Sequence, residues 1–283
     1  MNSYQPKSPR GIGWLPFYYR YKNKEGLYQT NIETELFSKI EDACQPIFSK
    51  INSKQQLDPE EKQTLALFIA FQNTRIPDFQ KKTEKLLEKM YKSVGQAVFY
   101  SIDKTKEILG EDESKEINRE GKVSAEEMFN FVKNGDYKVG VNREFSIKSM
   151  LKVGQDTAGY LLQMNWIFLC CPTSTSFITS DSPFFIIPPQ KSDDSFWSRG
   201  VGILTPGATK IIPLSAGICL AMGNKGELLN YMEIDRKETR TINQMIAENS
   251  DRYIIAESKS LLERIIKDTK VDQWLKGERI AIG

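Results

Sequence analysis

The chain has 283 residues, of which 40% are hydrophobic and 27% charged, a composition typical of a globular protein with a sizeable core. Its 39 basic and 37 acidic residues leave a formal net charge of +2, which excludes a global positive field for nucleic acid or anionic membranes. The absence of histidine excludes Ser-His-Asp and Cys-His nucleophiles, histidine general bases and zinc sites that contain histidine. Carboxylate, lysine, tyrosine and arginine chemistry remain, as does a carboxylate-bound metal.

The sequence carries no signal for export or for a membrane span. The first twenty residues contain three prolines and no continuous apolar core, unlike a signal peptide. The longest nearly apolar run, residues 160–171, is about half of the roughly 20 residues that a membrane helix needs, and we expect it to be buried core. The four cysteines show no CxxC spacing, which is typical of reduced thiols. These features predict a soluble cytoplasmic protein without a membrane partner.

The N-terminal half of the sequence is mainly helical in pattern. Residues 1–30 are rich in proline, glycine and aromatic residues and predict an irregular arm. Residues 32–51 repeat apolar side chains at spacings of three and four, the period of a helix. Asp58 followed by Pro59 predicts the start of a second helix, and Pro77 predicts a kink or a restart before the helical pattern resumes.

Further helices and then short strands follow in the chain. A charged, exposed segment is expected at residues 110–121, and helices at 124–132 and 145–162. After Asn165 short apolar runs alternate with proline and glycine, which predicts strands. These runs are WIFLCC, SFITS, FFIIP, TKIIPL and ICLAM. A long loop at residues 187–208, a helix at 235–249, a strand at 252–256 and a last helix at 261–274 complete the pattern.

The order of these elements predicts an α+β fold in a single domain over residues 1–283. In this fold the N-terminal, mainly helical layer (31–162) packs on a small antiparallel or mixed sheet in the strand-rich part (163–283), which also holds the terminal helices.

Several segments together resemble the uncharacterised family catalogued as domain of unknown function 4238. The resemblance covers about residues 30–258 and rests on the order and spacing of five pieces. They are IETELFSKIED (32–42), LALFIAFQNTRIPDF (65–79), SFITSDSPFFI (176–186), IIPLSAGICL (211–220) and INQMIAENSDRYIIAES (242–258). The family usually opens with a segment that contains a histidine and a proline, and this chain has no histidine. The resemblance implies an architecture and candidate positions, but no activity.

Helical spacing places polar residues on apolar faces of the first two helices. Gln72 and Arg75 share a stripe with Phe68 and Phe79, and Glu41 lies on a similar stripe of the first helix. A Glu41–Arg75 contact is the simplest way to satisfy both charges. Two interpretations stay open. The residues form a structural ion pair completed by Gln72, or they line a pocket in which Gln72 and Arg75 bind an anionic or carbonyl group.

Asp181 lies in the sequence Ser-Asp-Ser-Pro between two apolar runs. This is good turn chemistry, because the aspartate can accept backbone N–H bonds and Pro183 favours extended dihedrals at Ser182. The turn either orders two buried strands or projects Asp181 towards the helical layer as a second carboxylate beside Glu41.

The second arrangement would place two carboxylates near an arginine. Glu41 and Asp181 could then bind Mg²⁺ or Mn²⁺ and act as the catalytic carboxylates, while Gln72 and Arg75 hold a phosphate. This is the hypothesis of a metal-assisted hydrolase that acts on a phosphate compound or nucleic acid. The alternative is a non-catalytic binding or regulatory module in which the same polar residues form a structural network.

The signature for nucleic acid is weak. Four lysines at residues 82, 85, 89 and 92 share one helix face, but Glu84 and Glu88 interleave, as on an ordinary solvated face. In the long loop, Trp197 and Arg199 are candidates to stack on a base or to cover a site, or they simply pack. An anionic or phosphate ligand therefore remains the expected class of partner.

Overall fold

The structure is a computed structural model that describes residues 4–5, 18–22, 25–29, 32–110, 123–189, 201–226, 229–269 and 280–282. Several predicted features lie wholly or partly outside these residues. They are most of the aromatic arm, the charged segment 110–121, Trp197 and Arg199 of the long loop, and the end of the last helix beyond residue 269.

The chain divides into two compact units, one formed by Met1–Asp78 with Ile147–Gly283 and the other by Phe79–Ser146. The single-domain interpretation of residues 1–283 stays a prediction. The α+β fold class is confirmed, because the described residues form helices, one five-stranded sheet and two smaller sheets.

Helices dominate the chain up to residue 162, as the sequence pattern predicts. A π-helical segment, Ile32–Phe37, leads directly into α1. The helices are α1 (Ser38–Asn52), α2 (Pro59–Thr74), α3 (Pro77–Val98), α4 (Ile102–Leu109), α5 (Ala125–Asn134) and α6 (Arg143–Leu162).

Local signals explain where α2 begins and ends. The Asp58 carboxylate accepts the Glu61 N–H, and the Glu61 carboxylate accepts the Asp58 N–H. Two N–H groups that have no partner within the helix are thereby hydrogen-bonded. Pro59 occupies the first helical position, where its missing N–H costs nothing. The expected break at Pro77 is confirmed, because α2 ends at Thr74 and α3 begins at Pro77.

The described residues of the unit Phe79–Ser146 are mainly helical. Ser124 caps α5 by accepting the Glu127 N–H, as the sequence predicts. The left-handed Gly135, with φ of +68°, ends that helix at a conformation which glycine adopts without strain.

A mixed five-stranded sheet forms the centre of the larger unit. Its strands are β4 (Met164–Cys170), β6 (Phe185–Ile187), β7 (Thr209–Pro213), β8 (Ile218–Lys225) and β9 (Leu229–Glu233). Their order is β6-β7-β8-β4-β9, and every neighbouring pair is antiparallel except β4 and β9, which are parallel. The expected antiparallel or mixed sheet is therefore a mixed one. The strand β9 had no counterpart among the predicted runs.

Two smaller sheets complete the larger unit. The four-stranded sheet has the order β1-β11-β10-β5, and the two-stranded sheet pairs β2 with β3. The segment predicted as an irregular arm thus contributes three two-residue strands. The strands are β1 (Tyr4–Gln5), β2 (Tyr21–Lys22), β3 (Tyr28–Gln29), β5 (Thr179–Ser180), β10 (Tyr253–Ile255) and β11 (Ile280–Ile282).

The five-stranded sheet separates two hydrophobic cores. Along β4, Trp166 and Phe168 point into the core that contains side chains of α1, α2 and the end of α6. Ile167 and Leu169 point to the opposite face and into a second core. There they meet β5, β10 and the two last helices, α7 (Arg236–Glu248) and α8 (Lys259–Thr269).

Most of the apolar run at residues 160–171 is buried core, as expected, although Tyr160 and Gln163 are exposed. Leu161, Trp166 and Phe168 are fully buried. The Trp166 indole N–H donates to the Leu161 carbonyl at 2.9 Å, so its one polar group is satisfied inside the core. Within the described part of the chain, every helix is too short or too polar to span a bilayer.

Candidate functional site

Glu41 and Arg75 form the predicted contact between the first two helices. Arg75 is the C-cap residue directly after α2, and its Nη1 donates to Glu41 Oε1 on α1. The pair is less buried than the stripe pattern suggests, since the Glu41 side chain is 43% exposed and that of Arg75 21%. An ion pair that is open to water contributes about 0 to 1 kcal/mol to stability.

Aromatic residues and a second acid surround this pair. The Arg75 guanidinium carbon lies 5.5 Å from the centre of the Phe37 ring, and the Tyr19 hydroxyl donates to the Arg75 carbonyl at 3.1 Å. Burial raises the pKa of Glu33, while the Arg75 charge lowers it and the Glu41 charge raises it. The cluster is therefore an exposed charge network at the edge of the small core formed around Phe37 and Phe71.

Gln72 lies near Arg75 in the sequence but does not join the pair. Its side chain is half-buried, and it forms no hydrogen bond to another described residue. The proposed cooperation of Gln72 with Arg75 in holding a ligand stays a prediction.

The side chain of Asp181 links the end of β5 to the segment that leads into β10 through hydrogen bonds. Its side chain is 5% exposed. Its Oδ1 accepts the Asp251 N–H at 3.1 Å, and its Oδ2 accepts both the backbone N–H and the Nε–H of Arg252 at 3.0 Å. The carboxylate accepts backbone N–H bonds, as turn chemistry predicts, but these come from the segment before β10 instead of its own turn. Arg252 is a partner that the sequence did not reveal.

The structure does not bring Asp181 and Glu41 together. Helix α1 contributes Cys44, Ile47 and Ile51 to the core on one face of the five-stranded sheet. The β5–β10 pair that carries Asp181 belongs to the core on the opposite face. No group of three or more His, Cys, Asp or Glu residues in the described ranges is arranged to hold a metal ion. The placement therefore gives the Mg²⁺ or Mn²⁺ hypothesis no support.

A cationic groove lies elsewhere in the larger unit, between α7 and α8. It encloses about 630 Å³, and its described lining includes five cationic side chains and one carboxylate, Asp268. The cationic residues are Arg236, Lys237, Arg240, Arg264 and Lys267. We call this feature the α7–α8 groove.

Hydrogen bonds fix the walls and floor of the α7–α8 groove. Arg240 Nε donates to Asp268 Oδ2 at 2.7 Å, which links the two helices and uses the one carboxylate of the lining. Arg236 Nε donates to Ser174 Oγ at 2.8 Å. The buried Asn243 accepts the Ile178 N–H and donates to the Ser176 carbonyl, so α7 is held against the chain before β5.

The first turn of α7 carries charges of both signs, because Asp235 and Glu238 form a capping box there beside Arg236 and Lys237. Arg236 and Lys237 occupy the first turn of α7, next to the positive end of the helix dipole, where cations are unfavourable. This is the sequence signal that could have indicated the groove. An anion beside Arg236 and Lys237 would be attracted mainly by these side chains, because the Asp235 carboxylate already accepts the Glu238 N–H at the start of the helix.

The chain is matched over residues 1–260 by the model of a family described as "Protein of unknown function (DUF4238)". No curated protein and no solved structure matches it. The match includes the five resembling segments, and the chain belongs to this family.

Proposed function

We propose that this member of DUF4238 is a non-catalytic binding module that holds a phosphate-bearing or similar anionic ligand in the α7–α8 groove. The observation that carries the proposal is the surplus of positive charge in the groove, where five cationic side chains face one carboxylate. Asp268 is already paired with Arg240, so the remaining cations are available to a ligand.

The chemistry of the groove fits phosphate. Arginine presents a planar fork of N–H donors that matches two phosphate oxygens, and lysine adds a point charge. Such bonds are charge-assisted and therefore stronger than neutral ones. The volume of about 630 Å³ lies in the usual range for small-ligand sites.

The hypothesis of a metal-assisted hydrolase would use the same class of ligand at a different place. It requires Glu41 and Asp181 to offer free oxygens to one metal ion. Asp181 already accepts hydrogen bonds from the segment before β10, and Glu41 lies on the other face of the sheet. Both observations favour binding over hydrolysis. The hydrolase stays the rival hypothesis.

The binding proposal is tested by calorimetry with inorganic pyrophosphate. We expect the double variant Arg236→Gln/Arg264→Gln to weaken binding by at least about tenfold, because two charge-assisted contacts are removed. The matched control is Lys85→Gln/Lys89→Gln, which removes the same charge from an exposed face of α3 and should bind as the wild type does. Equal weakening in both variants, or none in the first, contradicts the proposal.

The rival is tested on the same samples by phosphate release in the presence of Mg²⁺ or Mn²⁺. Binding alone predicts no metal-dependent release by the wild type. Release that disappears in Glu41→Gln would establish the hydrolase instead. Glu41→Gln is the suitable variant because its side chain is half-exposed and its loss costs little stability.

We also propose that the protein acts in the cytoplasm. Its four cysteines are free, and three of them are buried. Free thiols are usual where glutathione keeps proteins reduced. Titration of thiols in the denatured protein, purified without reductant, should find four; fewer would argue for an oxidising compartment.

A further inference from the structure

A buried lysine stands on the face of the sheet opposite the α7–α8 groove. Lys210 is the second residue of β7 and is only 3% exposed. In the antiparallel pair β7–β8 it lies directly across from Met222, which is part of the core beneath α1, α2 and α6. Residues that lie opposite each other project to the same face, so the Lys210 amine is in mainly apolar surroundings.

The charge of Lys210 is poorly compensated. Its Nζ donates to the Ala208 carbonyl at 2.8 Å, and no carboxylate within the described ranges lies at salt-bridge distance from it. An ammonium has three N–H donors, so this one bond leaves capacity for further acceptors. Burial lowers the pKa of the Lys210 amine, because desolvation disfavours the charged form.

The Lys210 side chain lines a cavity of about 320 Å³. Five apolar residues form much of its wall, and Gln163, Thr205 and Asn224 add neutral polar groups. The apolar residues are Met164, Ile203, Leu204, Pro206 and Ala208. We call this feature the Lys210 cavity. The exposed side chains of Tyr160 and Leu204 place its mouth at the surface.

The wall of the Lys210 cavity is a defined turn. The Ala208 N–H donates to the Thr205 carbonyl at 3.2 Å, and Thr205 Oγ1 accepts the Gly202 N–H at 3.0 Å. Gly207 has a φ of +74° and Asn224 a φ of +45°, a region that most side chains avoid. Glycine and asparagine are the residues that adopt this conformation most readily, so the sequence fits the turn.

We propose that the Lys210 cavity binds a small organic carboxylate, whose apolar body contacts the apolar wall and whose carboxylate pairs with the Lys210 ammonium. Such a ligand supplies a counter-charge that the described residues do not provide, and it buries apolar surface in one step. The volume is at the lower limit of small-molecule sites, which suits a compact ligand.

A phosphate ligand fits the Lys210 cavity less well. A dianion would leave water for an apolar wall that offers a single cation, and the cost of its desolvation would not be met. This inference is therefore independent of the ligand proposed for the α7–α8 groove, which offers five cations on the other face of the sheet.

The test compares octanoate with its neutral analogue 1-octanol by calorimetry. We expect octanoate to bind the wild type and to lose at least about tenfold in affinity in Lys210→Met, which keeps the length of the side chain but not its charge. Binding of 1-octanol should be unaffected by this variant. The matched control Lys85→Met removes one charge from an exposed face of α3, outside both cavities, and should leave octanoate binding unchanged.

Three results would overturn the proposal. They are no binding of octanoate to the wild type, equal affinity in Lys210→Met, or a loss in Lys85→Met equal to that in Lys210→Met. Lys210→Met should remain folded, because methionine suits the apolar surroundings better than a charge does.

A second measurement uses only the wild type and so does not depend on the folding of a variant. With ¹³C-methyl methionine labels, octanoate should shift the signals of Met164, in the cavity wall, and Met222, opposite Lys210. The exposed Met90 and Met232 lie on α3 and β9 and should not shift. Shifts that spare Met164 and Met222 would place octanoate elsewhere and overturn the assignment.

Discussion

The pairs Glu41–Arg75 and Asp181–Arg252 both join a carboxylate to an arginine. In the first pair the arginine is the more buried member, and in the second it is the carboxylate. In the first pair the carboxylate is 43% exposed and the arginine 21%; in the second the carboxylate is 5% exposed and the arginine 42%. Glu41 receives one side-chain bond from Arg75, whereas Asp181 also receives backbone N–H bonds. We infer that the access of the carboxylate to water, more than the presence of an arginine, decides how much such a pair stabilises the fold.

The largest effect is expected at the buried carboxylate. Asp181→Ala leaves three backbone N–H groups, those of Asp251, Arg252 and Tyr253, and the Arg252 guanidinium without this acceptor. We expect the free energy of unfolding to fall by about 3 kcal/mol, since removal of one partner leaves buried polar groups unpaired. Urea unfolding measures this loss. Asp181→Asn, which keeps one oxygen, serves as the control and should lose less.

A loss below about 1 kcal/mol in Asp181→Ala would break the comparison, because that is the range of exposed ion pairs. Asp181 would then be no more structural than Glu41. Its carboxylate would again be a candidate for chemistry.

A smaller effect is expected at the exposed pair. Glu41→Gln should change the free energy of unfolding by less than about 1 kcal/mol, because water replaces the arginine at a half-exposed carboxylate. Arg75→Met removes the same charge contact and keeps an apolar chain near Phe37. The same urea series measures both variants, and a loss from Glu41→Gln as large as that from Asp181→Ala would remove the distinction between the pairs.

The smallest effect is a change in the titration of Glu33, beside the exposed pair. Because burial raises its folded pKa above the ordinary value of 4.5, its contribution to stability is present below pH 4.5 and is lost as pH rises through the folded pKa. Arg75 lowers this pKa and Glu41 raises it. Arg75→Met should therefore move the Glu33 pKa up, and Glu41→Gln should move it down.

Carboxyl ¹³C titration by NMR detects the two shifts. Asp181→Asn is the control, because Asp181 is not among the groups that act on Glu33, and it should leave the titration unchanged. Shifts of the same sign in Arg75→Met and Glu41→Gln would contradict the assigned charges.

The features that the sequence predicted well are those decided by neighbours along the chain. Asp58 and Pro59 specify the start of α2 through local bonds, and Pro77 interrupts the helix by its own ring geometry. The Glu41–Arg75 contact followed from helical periodicity on two successive helices, which pack as antiparallel neighbours often do.

The missed features depend on segments that are distant in the sequence. The bond from Arg252 to Asp181 joins residues 71 positions apart, and no local pattern fixes that register. The α7–α8 groove requires two helices with separate charge patterns to face each other. In the sequence, Lys210 is one polar residue in a predicted strand. Only the sheet order shows that helices cover the face of the sheet on which Lys210 lies.

The hydrogen bonds between Asp181 and Arg252 also have a consequence for the synthesis of the chain. Asp181 leaves the ribosome 71 residues before Arg252, an interval of roughly 4 to 14 seconds at ordinary rates of translation. During that time β5 lacks its partner β10, and the neighbouring Phe177 and Ile178 lack the core that buries them in the folded protein. The nascent chain should therefore bind chaperones most strongly in this interval, and release should follow the emergence of β10.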